Sequence, residues 1–179
     1  MIIFDCETTG LIENPVLPLE QQPHIIEIGA IKVCPVTLEI QDELSMLVDP
    51  GIPLPPIITK ITGLTDENLR GQPRFARILP RLSDFWLGAG TLVAHNAAFD
   101  LGLLGFELER LDLVRRFPWC PEVVDTAEVS ATYNNGRYMK LEKWYEHLFS
   151  KPAGQTHRAL DDCKLLLACW RKHNGRLEE

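Results

Sequence analysis

The sequence contains no apolar run of about 18 residues, the length a helix needs to cross a bilayer, so it offers no membrane-spanning helix. No secretory leader is visible either, because Asp5 and Glu7 interrupt the first apolar run. Both absences lead to the expectation of an intracellular, cytoplasmic protein with no membrane partner. Cysteine is sparse and odd in number: five residues, Cys6, Cys34, Cys120, Cys163 and Cys169, are scattered through apolar stretches. That pattern predicts free core thiols in a reducing compartment, not a disulfide framework. Cys169 and His173 have a zinc-compatible spacing of four, yet no second Cys/His pair completes a tetrahedral set. Internal repeats and low-complexity segments are absent. Positive charge is also short, with 18 Lys and Arg against 25 Asp and Glu and a net charge of −7. This balance argues against a large basic groove for a polyanion. Local gripping of a short polyanion stays open, provided that several carboxylates hold divalent cations, which would reverse the field around them.

What remains is a composition of an ordinary globular kind, 45% hydrophobic and 24% charged. Its 179 residues suit one domain, 1–179, with a sizeable core. MIIF reads as a buried strand running into Asp5 and Glu7, and Thr8-Thr9-Gly10 as the turn that ends it. Residues 11–23, with three prolines, read as a loop. HIIEIGAIKVCP and LEIQDELSMLVDP read as two further strands joined by a hairpin at Pro35-Val36-Thr37. PGIPLPPI is a proline-rich connection, Thr65 an N-cap, and Arg74 to Leu87 a helix. TLVAHN is a buried strand followed by a helix from about Ala98 to Arg116, and EVVDT a short strand followed by a helix to about Tyr133. Asn134-Asn135-Gly136 is a turn; Met139 to Phe149 and Arg158 to Lys172 close the chain as helices. A meander followed by β-α-β-α predicts an α/β fold: a mixed five-stranded sheet flanked by helices, with ligands collecting at the carboxyl ends of its strands.

The acids fall where that sheet would gather them. Residues i and i+2 of a strand share a face, so Asp5 and Glu7 project side by side at the end of the first strand. Asp100 lies just inside the helix after TLVAHN. HRALDDC opens the last helix with His157, and Asp162 can turn toward the sheet while Asp161 is more exposed. Each residue alone has an innocent reading. Asp5 and Glu7 could end a solvated strand, Asp100, Asp161 or Asp162 could complement a helix dipole, and His157 could cap a helix. Together, four converging carboxylates would need cations to be buried, and Mg²⁺ or Mn²⁺ prefer such oxygen ligands. A pair of ions about 3.5–4 Å apart supports in-line phosphoryl displacement, and a neighbouring imidazole suits proton removal from water at neutral pH.

The segments FDCETTGL, HIIEIGAIKV, ITGLTDENL, LVAHNAAFDLGLL, VVDTAEVS and HRALDDC, in this order, closely resemble the DEDDh 3′→5′ exonucleases of the ribonuclease H-like superfamily. That group includes polymerase proofreading subunits, ribonuclease T and exonuclease X, and the resemblance runs from about residue 1 to 170. It implies a ribonuclease H-like sheet, a three-strand antiparallel meander plus two parallel strands. It places the metal-binding carboxylates at Asp5, Glu7, Asp100 and Asp162 and the general base at His157, with Mg²⁺ or Mn²⁺ as the two cations. By the same resemblance Asp5 bridges both ions, Glu7 and Asp162 complete the nucleophile-side ion, and Asp100 serves the other. The implied activity is stepwise release of nucleoside 5′-monophosphates from single-stranded DNA 3′ ends. Thr8 and the backbone near Thr9 and Gly10 are expected near the terminal nucleotide, with Ile61 and Phe99 against its base or sugar and Asn96 bonded to it. For Phe99 a core role is the alternative. Thr62 stands where some relatives have histidine. Glu27 is expected as a buried polar support, His95 as structural, and Asp125 and Thr126 as a helix cap. The loop from Leu11 to Pro23 is long for the family, and the chain stops soon after its last motif at HNGRLEE. With no visible polymerase-binding tail, a stand-alone trimming nuclease is expected. The alternatives are an exoribonuclease of the same fold and an inactive nucleic-acid-binding adaptor; the presence of all five expected side chains speaks against the second.

Overall fold

A computed structural model describes residues 1–154 and 157–175 of the chain. Its centre is β1 (Ile2–Thr8), whose Ile2, Ile3 and Phe4 are fully buried on both faces, as a strand with neighbours on either side and helices above and below must be. β2 (Ile25–Val33) runs antiparallel to β1, opposing Gly29 to Asp5 and Glu27 to Glu7. β3 (Ile40–Leu47) pairs antiparallel with β2. β4 (Thr91–Ala94) lies parallel to β1 on its other side, and β5 (Glu122–Asp125) parallel to β4. The order β3-β2-β1-β4-β5 is the mixed five-stranded sheet that the strand pattern predicts.

Seven α-helices complete the described residues: α1 (Pro56–Thr62), α2 (Asp66–Leu69), α3 (Phe75–Trp86), α4 (Ala97–Glu109), α5 (Thr126–Ala131), α6 (Leu141–Phe149) and α7 (Ala159–His173). α1, which the sequence reading does not include, starts at the last two residues of the proline-rich connection and runs beyond it. Pro56 is tolerated at its first position, where an N–H would have no partner, and Gly63 closes it at φ 73°. Thr65 caps α2 in a capping box with Asn68, as its position predicts. α4 ends at Glu109, earlier than expected, because Asp112 adopts φ 55° and the Leu113 N–H turns back to the Leu108 carbonyl. α6 begins two residues late, since Met139 is held outside it: its N–H donates to Ser130 Oγ and its carbonyl meets His95 Nε2.

The sheet's two faces bury different helices. Ile2, Phe4 and Cys6 face α3 and α4, where Trp86 meets Phe4 edge-on at 5.1 Å. Ile3, Ile31 and Val93 face α6 and α7 through Trp144, Cys163, Leu166 and Leu167. α7 approaches β2 at Gly29 so closely that a Cβ there would collide with the Ala159 carbonyl group. Glycine is what lets the start of α7 lie directly on the strand opposite Asp5. Cys163 seals the contact by donating its thiol to the Gly29 carbonyl at 3.2 Å. No described helix is long and apolar enough to cross a membrane.

Candidate active site

The alternation that buries Ile3 beneath α7 carries Asp5 and Glu7 onto the same face, one and two steps nearer the carboxyl end of β1. From above, α7 turns Asp162 inward, almost fully buried, and leaves Asp161 exposed. His157 precedes the helix in a left-handed conformation, φ 50°. Ligand atoms of Glu7, His157 and Asp162 all lie within 4.8 Å of one another. Asp5, His157 and Asp162 share one open cleft of about 530 Å³ with Asn96. Asp100, buried in the first turn of α4, comes at β1 from the other face. Its Oδ1 accepts the Cys6 N–H at 3.1 Å and the Cys6 thiol at 3.3 Å.

This much acid in one place has an electrostatic signature. Burial, then Asp100, Asp162 and Glu7, hold the Asp5 carboxyl well above its ordinary range. Burial, then Asp162 and Glu27, push Glu7 up to about 8. Burial pushes Asp100 up to about 7 against the stabilising Cys6 hydrogen bonds. Among the described residues neither Asp5 nor Glu7 has an ion-pair partner. Crowded carboxylates with raised pKa values and an adjacent imidazole make an oxygen-rich donor set, the chemistry that Mg²⁺ and Mn²⁺ favour.

Arg158, beside these acids, is already committed. Glu27, 1% exposed, receives Arg158 bidentately, Nε to Oε2 at 2.9 Å and Nη2 to Oε1 at 2.8 Å, and also accepts the Ala159 N–H. This pair locks the residue after His157 and the first turn of α7 to the strand opposite Glu7, and so holds the histidine in its uncommon backbone conformation. Across the cleft, Asp125 accepts the N–H groups of Asn96, Ala97 and Ala127, capping α5 and fixing Asn96 at φ 71°. His95 bonds Thr126 and Met139 and stacks on Trp144; burial lowers its pKa. Both residues work as supports.

The remaining expected contacts are dispersed. The Thr8 hydroxyl, buried, donates to the Gly10 carbonyl at 2.6 Å. Phe99 is half-buried against the α3–α4 core, and Ile61 stands exposed on α1 with Thr62 buried beside it. Three contributors were missed by sequence reasoning: Arg158 as partner of Glu27, Cys6 as donor to Asp100, and Gly29 as the seat of α7. Only the last left a local trace, a glycine inside the apolar strand IIEIGAI.

Comparison with known proteins agrees with this geometry. The family model described as Exonuclease, RNase_T, matches residues 2–169, and the chain belongs to that family, as its resemblance to DEDDh exonucleases implied. The family's members are hydrolytic nucleases that use divalent metal ions. The DNA polymerase III PolC-type of Clostridium perfringens is 35% identical over 167 residues, covering 91% of this chain and 10% of that protein. The chain thus spans about a tenth of the length of the curated polymerases it matches. The nuclease domain of 3′hExo, a DEDDh family member solved bound to rAMP, superposes at a TM-score of 0.76 with 23% identity, covering 99% of this chain and 94% of that one. Exonuclease X, solved with 5′ overhanging duplex DNA, gives a TM-score of 0.68 with 24% identity, covering 97% and 91%. These two likenesses establish the shared fold.

Proposed function

We propose that the chain is a two-metal-ion 3′→5′ exonuclease that removes nucleoside 5′-monophosphates from single-stranded DNA. The observation that carries this reading is the meeting of Glu7, His157 and Asp162 ligand atoms within 4.8 Å at the carboxyl end of β1, with Asp5 in the same cleft. Asp5, Glu7, Asp100 and Asp162 hold the cations, and the cations supply Lewis-acid stabilisation of the phosphoryl oxygens and a more acidic attacking water. His157 accepts the proton of that water. The water oxygen bonds to phosphorus as the P–O3′ bond breaks; the terminal residue leaves as a 5′-monophosphate, and the 3′ oxygen of the shortened strand takes up a proton from solvent while His157 returns its own to solvent. Asn96, which lines the cleft, bonds the terminal nucleotide, with Thr8, Ile61 and Phe99 bordering it.

DNA is favoured over RNA because the relative at 35% identity is named as a DNA polymerase. A single strand is favoured because a chain of net charge −7 offers little to a duplex backbone. The test is a time course on 5′-labelled DNA and RNA oligonucleotides, single-stranded and duplex, with Mg²⁺ or Mn²⁺. A ladder shortening from the 3′ end, fastest on single-stranded DNA and stopped by chelation, is expected. Internal cuts, shortening from the 5′ end or chelator-insensitive cleavage would overturn the proposal.

A further inference from the structure

The cleft at the carboxylates does not end there. Its lining runs past Asn96 to the segment before α6 and that helix's first turn, where Tyr138, Met139, Lys140 and Glu142 form the far wall. Tyr138 is 65% exposed, and Lys140 is exposed as well. An exposed aromatic on a loose loop would mean little, but this backbone is anchored. The Met139 N–H donates to the buried Ser130 hydroxyl at 2.9 Å, and the Met139 carbonyl meets His95 Nε2 at 2.8 Å. The preceding turn is closed by Asn134, which accepts the Arg137 N–H at 3.0 Å and donates its amide to the Arg137 carbonyl at 3.1 Å. A tyrosine and a lysine on either side of a fixed residue are thereby displayed toward a cleft whose other wall is the reaction centre. Ile61 and Phe99 are not among the described residues lining it, and Asn96 stands between the carboxylates and the far wall, so that wall lies beyond the contacts assigned to the terminal nucleotide.

We infer that the Tyr138–Lys140 segment is the binding site for the strand upstream of the scissile bond, Tyr138 stacking on a base and Lys140 pairing with a phosphate. This rests on the nuclease reading and adds the path of the retained strand. Base–aromatic stacking tolerates any sequence, which suits an enzyme that must advance one residue at a time. A single lysine also fits the acidic balance of the chain, since a local contact replaces a basic groove.

The test compares two substrates in Mg²⁺: a single-stranded DNA oligonucleotide and thymidine 5′-(p-nitrophenyl phosphate), which has no upstream nucleotide. For Tyr138→Ala the ratio of kcat/KM on the oligonucleotide to that on the ester is expected to fall about 10-fold to 100-fold, mainly through KM, and Tyr138→Phe should restore it. Lys140→Ala should flatten the slope of log KM against log salt by about 0.7 on the oligonucleotide alone. Equal losses on both substrates would make the segment a mere support, and an unchanged ratio would remove it from the strand's path; either result overturns the inference. A parent chain inert toward both substrates would instead sink the nuclease reading itself.

Discussion

Two clusters of buried acid in this molecule are built on opposite principles. On α4, Glu107 is buried but paired. Its Oε1 accepts the Ile25 N–H at 3.1 Å and lies 3.1 Å from both His24 Nδ1 and Arg110 Nη1. Arg110 extends the pairing by donating to the carbonyls of Leu19, Gln22 and Pro23, which ties the long 11–23 loop to the helix. Around β1 the carboxylates crowd together, and the arginine within reach is spent on Glu27. The first cluster carries its own counter-charge and stabilises the fold. In the second, Asp5 and Glu7 have no ion-pair partner among the described residues, and the proposed function assigns their counter-charge to bound cations. Burial alone does not mark a site; burial of several like charges together does.

That contrast is open to direct attack. Asp5→Asn and Asp162→Asn are expected to abolish cleavage in a turnover assay, the largest effect of all, while Asp5→Asn raises the melting temperature of the metal-free protein by relieving repulsion. A folded but fully active Asp5→Asn protein would remove Asp5 from the ligands. His157→Ala should lower turnover about 10²-fold to 10⁴-fold with Mn²⁺ affinity by calorimetry nearly unchanged, since it removes a base and leaves the carboxylates.

Glu107→Ala should behave in the opposite sense. It strands Arg110 and His24 and should cost about 3–5 kcal/mol in denaturant titration, with turnover of the folded fraction near that of the parent. A selective loss of turnover with normal stability would merge the two clusters into one.

The smallest expected effect is on pH. Glu7 binds its proton more tightly folded, at about 8 against an ordinary 4.5, and Asp100 is raised likewise. The folded state therefore holds more protons than the unfolded state between those values, and this contribution to stability is lost as pH rises through the interval. Scanning calorimetry of the metal-free protein should show a melting temperature falling from about pH 5 to pH 8. Mn²⁺, by displacing the protons, should raise it more at pH 8 than at pH 6. A melting temperature that climbs over this range would place the raised pKa values in doubt.

Period-two alternation sufficed to set Asp5 and Glu7 on one face, and helical spacing sufficed to separate Asp162 from Asp161, because both are local geometry. The mixed character of the sheet also followed from local signals, a meander and then two crossovers, while the strand order β3-β2-β1-β4-β5 came only from the structure. What escaped was pairing at long range. Glu27 and Arg158 are 131 positions apart, and Cys6 and Asp100 are 94 apart. No periodicity announces such contacts; they exist only after β1 and β2 have set their register and Gly29 has admitted α7. Tyr138 was silent for the same reason, since its significance comes from a backbone pinned by His95 and Ser130. α4 was overrun because the left-handed turn at Asp112 has no glycine to announce it.

The gathering of acids around β1 as a cation site is tested most directly by anomalous diffraction from a crystal soaked in Mn²⁺. Manganese peaks bounded by carboxylate oxygens of Asp5, Glu7, Asp100 and Asp162, with the His157 ring beside them, are expected. A soaked crystal with these side chains well ordered and no anomalous density between them would contradict it.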